Sequence, residues 1–130
     1  MEFKSIKETA LYVADLEQTK DFYHGILGLP IITFVAGQHV FFRAGESVLL
    51  CFNAAHSKTK TGVPPHYGAG NLHFAFECHD GEYENWKTLL LKNGIEIEQE
   101  IIWRANRKSF YFRDPDQHSV EIVQSGIWGF

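Results

Sequence analysis

Between Glu8 and Asp15 the chain reads ETALYVAD, and between His73 and Asp80 it reads HFAFECHD. Each stretch alternates with the period of two of a β-strand and ends on an aspartate placed to cap a helix. Beyond each aspartate the apolar positions take helical spacing instead: Leu16, Phe22, Tyr23 and Ile26 in one stretch, Tyr83, Trp86 and Leu90 in the other. Gly28 and Gly94 stand where those helices need a residue to stop them. Three short strand candidates follow each helix: Ile31–Val35, Val40–Arg43 and Val48–Asn53, then Ile95–Gln99, Ser109–Arg113 and Ser119–Val123. One 65-residue offset carries both Glu8 to His73 and Asp15 to Asp80. The last hairpins, FRAGESVLL and FRDPDQHSVEI, align if the second turn is two residues longer, which makes Glu121 the equivalent of Leu49. The pattern therefore predicts one α+β domain over residues 1–130, built from two βαβββ modules at Lys4–Asn53 and Gly70–Ser125. Residues 54–70, rich in Ala, Ser, Lys, Thr, Gly and Pro, read as a loop or lid, and residues 126–130 as a short hydrophobic tail.

Strand parity then sorts the polar side chains. With Leu11 and Val13 turned to the helix, Glu8, Ala10 and Tyr12 face the other way, as do His73, Ala75 and Glu77 in the fifth strand. In the last strand Val120 and Ile122 take the helix side, which leaves Glu121 and Val123 on the opposite one. Glu8, His73 and Glu121 thus come from three strands at positions related by the repeat. Each has an ordinary reading as well: a solvated strand start, a hydrogen-bonded histidine, a carboxylate paired with Arg43 or Arg113. Together, two carboxylates and an imidazole suit a divalent ion (Zn, Ni, Mn or Fe), which lets all three adopt their basic forms. Leucine at the fourth position, Leu49, would leave coordination sites free for water or substrate. The same parity places Phe41, His39, Cys51 and Asn53 on the inner surface as pocket residues. Arg43 and Arg113 are either substrate-anion contacts or ion-pair partners at the turns.

Composition narrows the class without naming the chemistry. Aromatic residues make up 15% of the chain, which fits thick sheet-to-helix packing, an apolar pocket, or both. The net charge is −4 and the twelve basic residues are dispersed, so no nucleic-acid footprint is visible. No apolar run approaches the roughly 18 residues of a membrane span. Cys51 and Cys78 are not paired by spacing, and the N-terminal MEFKSIKET has no signal-peptide core, so a reduced, cytoplasmic setting is expected.

With the repeat and these motifs in hand, LYVADLEQTKDFYHGILGLP, LHFAFE and YFRDPDQHSVEI resemble the vicinal oxygen chelate superfamily, which includes glyoxalase I, fosfomycin-resistance proteins, extradiol dioxygenases and bleomycin-resistance proteins. The resemblance covers nearly the whole chain. It implies paired βαβββ units forming an incomplete barrel around a metal, often with two chains combining as a homodimer. Carried over by motif, the ligands fall on Glu8, His73 and Glu121, and Tyr111 falls where fosfomycin-modifying enzymes hold an oxyanion-contacting tyrosine. The chain departs from the pattern at Glu8, where His or Gln is common, and at Leu49, where glyoxalase I carries a ligand. The expected function is a small metalloenzyme whose ion acts as a Lewis acid on an oxygen-chelating small-molecule substrate, by lyase, isomerase or thiol-transfer chemistry. Glu121 or Glu77 would move the proton. The alternative is a metal-free dimeric binding protein that sequesters a drug-like aromatic ligand.

Overall fold

A computed structural model describes residues 1–130. The chain folds as two compact units, Met1–Gly70 and Asn71–Phe130. Each has the βαβββ order that the pattern predicts.

In the first unit, β1 (Glu8–Val13) leads into α1 (Leu16–Lys20), which runs on as a wider helical turn over Asp21–Ile26. Asp15 caps α1 by accepting from the backbone N–H groups of Glu17 and Gln18. Strands β2 (Ile31–Val35), β3 (His39–Ala44) and β4 (Ser47–Asn53) complete a sheet of order β1-β4-β3-β2, with β1 parallel to β4. A short helix α2 (Ala54–Lys58) follows, capped by the Asn53 side chain, inside the stretch expected to be loop.

The second unit repeats the plan. Its β5 (His73–Cys78) is followed by a tight turn at Asp80–Glu82 and by α3 (Tyr83–Lys92). Strands β6 (Gln99–Ile102), β7 (Lys108–Arg113) and β8 (Ser119–Gln124) give the order β5-β8-β7-β6. The helix stops match as well. Gly28 and Gly94 sit at φ 75° and 72°, and the next residue, Leu29 or Ile95, donates its N–H back to Tyr23 or Leu90.

Each sheet packs its helix with one face. In the first unit the Tyr23 ring lies 5.6 Å from that of Phe42. Phe42 is opposite Leu49, and Val40 opposite Cys51, so these four share the helix side with Leu11 and Val13, all buried. In the second unit Tyr83 meets Phe110 edge-on at 5.3 Å, and Phe112, Val120 and Ile122 share that buried face.

Four expectations are corrected, the first being the Asp80 cap: its side chain makes no capping bond and pairs with Arg107 instead. The strand expected at Ile95–Gln99 begins at Gln99, because Ile95 is spent closing the C-terminus of α3. Cys51 and Asn53 do not line the inner surface. Cys51 is fully buried on the helix side, paired with Leu11 and Val40, and Asn53 shares its parity and caps α2. The repeat is also offset from the sequence alignment by one residue. Arg43 pairs with Val48 and Phe41 with Leu50, while Arg113 pairs with Ser119 and Tyr111 with Glu121. The second turn is therefore one residue longer, not two, and the equivalent of Glu121 is Leu50 rather than Leu49.

Candidate metal centre

Glu121 lies mid-strand in β8, between β5 and β7, with Ala75 beside it on one side and Tyr111 on the other. The methyl of Ala75 leaves room over the carboxylate that a larger residue would fill. Glu121 is only 6% exposed, and its Oε1 has no hydrogen-bond partner. Its Oε2 lies 3.5 Å from Nε2 of His73, whose side chain is 53% exposed. The other ring nitrogen of His73, Nδ1, is 3.0 Å from the backbone carbonyl of Ser119. A carbonyl only accepts, so Nδ1 carries a proton, and a ring with that single proton presents its lone pair at Nε2. Two lone-pair atoms then face one another beside an unsatisfied buried oxygen. Such an arrangement is costly unless a proton or a cation sits between them. A histidine oriented by a backbone carbonyl through its far nitrogen is also the usual setting of a metal-ligating imidazole. The donor set fits a divalent ion on these grounds.

Tyr111 flanks the pair, its ring centroid 6.0 Å from that of His73. Burial pushes the phenol above its ordinary pKa, and the charge and hydrogen bonding of Glu121 push the same way, against an opposing contact with Ser109. The hydroxyl is thus held as a donor. Ser109 itself accepts from the Trp103 indole at 2.9 Å. Neither the Trp103–Ser109 contact nor the Ser119 carbonyl that orients His73 was legible in the sequence, since both depend on strand register.

The remaining expected site residues have the following local settings. Glu77 is exposed on the His73 side of β5, opposite Val123. Arg113 is an ion-pair partner at its turn, with Nε 2.8 Å from Glu98 and Nη1 3.0 Å from the Gln117 carbonyl. Arg43 donates from Nε to the Gly45 carbonyl. Glu8 opens β1 as an exposed carboxylate with no ion pair. No three His, Cys, Asp or Glu side chains gather within either unit; of the three expected ligands, His73 and Glu121 meet in the second unit and Glu8 belongs to the first. His118 is buried in the Asp114–Ser119 turn, where its Nδ1 accepts from the Leu72 N–H, a structural role.

The non-helix face of the first unit is aromatic. His39 stacks on Phe41 at 4.1 Å, and Phe52 lies against Tyr12, Phe41 and His66. The segment after α2 folds back as a strap. Nδ1 of His66 is 2.8 Å from the Tyr12 hydroxyl, and Gly68 packs flat on the Tyr12 ring. Phe41, unlike Cys51 and Asn53, lies on this surface as expected.

An α+β fold of two βαβββ modules, with an oriented imidazole and a buried carboxylate on adjacent strands, defines a class of repeat-built proteins with metal-type donor sets on the sheet face away from the helix. A family model described as the Glyoxalase/Bleomycin resistance protein/Dioxygenase superfamily matches residues 5–122, and the chain belongs to that superfamily. It is 28% identical over 126 residues to the glutathione transferase FosA of Serratia marcescens, a match covering 92% of this chain and 79% of that protein. The metallothiol transferase FosB of Staphylococcus epidermidis is 27% identical over 124 residues, covering 92% of this chain and 82% of the relative. Among solved structures, a lactoylglutathione lyase from Agrobacterium tumefaciens superposes with a TM-score of 0.95 at 34% identity, covering 100% of both chains. These relatives are enzymes. No helix is long and apolar enough to cross a membrane.

Proposed function

We propose that the chain is a metal-dependent enzyme of thiol-transfer or lyase type, acting on a small oxygen-bearing substrate at a centre that includes His73 and Glu121. The observation that carries this reading is the pairing of Nε2 of His73 with Oε2 of Glu121 at 3.5 Å, while Nδ1 is committed to Ser119 and Oε1 has no partner. Glu8, free of ion pairs and equivalent to His73 by register, is the proposed third ligand. A bound divalent ion would supply Lewis-acid polarisation of a substrate oxygen.

The chain's own residues account for the rest. Ser119 holds the His73 ring in the tautomer that offers Nε2. The raised pKa of Tyr111 keeps its hydroxyl protonated at neutral pH, so that it donates to an oxygen on which negative charge develops. Glu77, exposed on the same strand face as His73, is the proposed group that exchanges protons with water and substrate. A homodimer and a cytoplasmic setting belong to the same reading, by likeness to the superfamily.

Metal content of protein purified without added metal, followed by titration with Mn²⁺, Ni²⁺ and Zn²⁺, tests the centre directly. Near-stoichiometric binding that is lost in His73→Ala and weakened in Glu8→Ala is expected. Turnover assays with thiol-plus-epoxide and 2-oxoaldehyde–thiol substrates then divide transferase from lyase. Absence of binding for all three metals would leave the metal-free binding protein, with the aromatic face of the first unit as its ligand surface.

A further inference from the structure

The two modules treat one arginine position in opposite ways. In the second unit, β-pairing sets His73, Ser119 and Arg113 in one row, and Arg113 is neutralised by Glu98. In the first unit the corresponding row is Glu8, Val48 and Arg43. No carboxylate reaches Arg43. Its side chain bonds from Nε to the Gly45 carbonyl, which aims the guanidinium while leaving both terminal nitrogens unspent. Two further cations stand beside it. Lys4 and Lys7 line the same hollow of about 390 Å³, with Ile32, Gly45, Glu46, Ser47 and Val48. Lys7 donates to the backbone carbonyl of Glu46, so the turn between β3 and β4 fixes this cation as it fixes Arg43. The Glu46 carboxylate forms an ion pair with none of the three.

Three positive side chains line one hollow against a single carboxylate, that of Glu46, and no ion pair in the protein balances the excess. An anion does. We infer that the Lys4–Lys7–Arg43 hollow is a binding site for a phosphoryl-type dianion. An excess of two positive charges, three cations against Glu46, favours a dianion over a carboxylate, the free edge of Arg43 matches two phosphoryl oxygens, and the ammonium groups add point charges. Ile32 and Val48 supply an apolar wall, so the phosphoryl group of a small organic phosphate fits as well as inorganic phosphate. The hollow is built by first-unit residues alone, and its test needs no metal.

The experiment is a ¹⁵N–¹H NMR titration of the full chain at low ionic strength with inorganic phosphate, phenyl phosphate, acetate and sodium chloride, the last matched in ionic strength. Saturable shifts at the amides of Lys7, Gly45, Ser47 and Val48 are expected for both phosphates, with acetate at least about fivefold weaker and chloride without a saturable response. Tighter binding of phenyl phosphate than of phosphate would assign the site to an organic ligand, and equal binding to the free anion. Arg43→Gln and Lys4→Gln should each weaken phosphate binding, Arg43→Gln by about tenfold. Lys4→Gln leaves the turn intact, so its effect cannot be ascribed to misfolding, and Lys58→Gln serves as a control outside the hollow. Shifts that chloride reproduces, or that survive unchanged in both variants, would overturn the inference.

Discussion

Replacing Glu121 by leucine separates a carboxylate kept for function from one kept for stability. The repeat already makes this substitution, since Leu50 holds the equivalent position in the first unit. In the metal-free protein Glu121 is 6% exposed, with one oxygen unpartnered and the other 3.5 Å from Nε2 of His73. Leucine at this position removes the cost of the buried, unpartnered Oε1, about 1–3 kcal/mol. Loss of a partner for the partly buried Tyr111 gives back about 1 kcal/mol. A net gain of up to about 2 kcal/mol corresponds to at most ~7 °C in Tm for a domain of this size. With a divalent ion at a hundredfold excess over its Kd, wild type gains about 2.7 kcal/mol by linkage and the variant nothing. The order of stability therefore reverses: Glu121→Leu melts higher in EDTA, and wild type overtakes it when metal is added. Differential scanning fluorimetry across a Zn²⁺, Ni²⁺ and Mn²⁺ series reads both arms. A variant that melts lower in EDTA, or that gains as much from metal as wild type, would refute the assignment of Glu121 as an unsatisfied ligand.

Other outcomes follow from the same geometry. Tyr111→Phe should keep its metal while kcat/KM falls about tenfold to a thousandfold, as expected for a lost oxyanion donor, checked by metal analysis beside steady-state kinetics. In Gly68→Ala the new Cβ would sit 2.7 Å from two carbons of the Tyr12 ring, which is already held by His66. A loss of about 1–3 kcal/mol is expected in urea denaturation, and the loss should vanish in a Tyr12→Ala background. His39 is held below the ordinary histidine pKa by burial, with the charges of Lys60 and His56 adding. The unfolded chain therefore takes up a proton near pH 6.5 that the folded one resists. The stabilisation from the neutral ring is complete above about pH 6.5 and is lost as pH falls towards the lowered folded value. His39→Phe keeps the stacking on Phe41 and should flatten the fall in urea midpoint over that acidic range.

The division of information between sequence and fold is clearest in β4 and β8. Alternation in β1, the Asp15 cap, the paired glycines after the helices and the 65-residue offset are local signals, and each sits where periodicity and capping chemistry require. They sufficed for two βαβββ modules and for bringing His73 and Glu121 to one sheet face. The run Val48–Phe52 carries no such signal, because all five residues are apolar and parity is invisible when both faces of a strand are covered. Only packing assigned it: Tyr23 claimed the Phe42–Leu49–Cys51 side, the His66 strap covered the Phe52 side, and Cys51 went to the core. Turn length was equally hidden, since two-residue and longer turns use the same residue types while register follows the hydrogen-bonded pairs, so Leu50 and not Leu49 answers to Glu121. The sequence by itself determined which residues carry donor chemistry and which elements hold them. The fold decided which donors meet, because a 3.5 Å contact between β5 and β8 depends on register that no local pattern encodes.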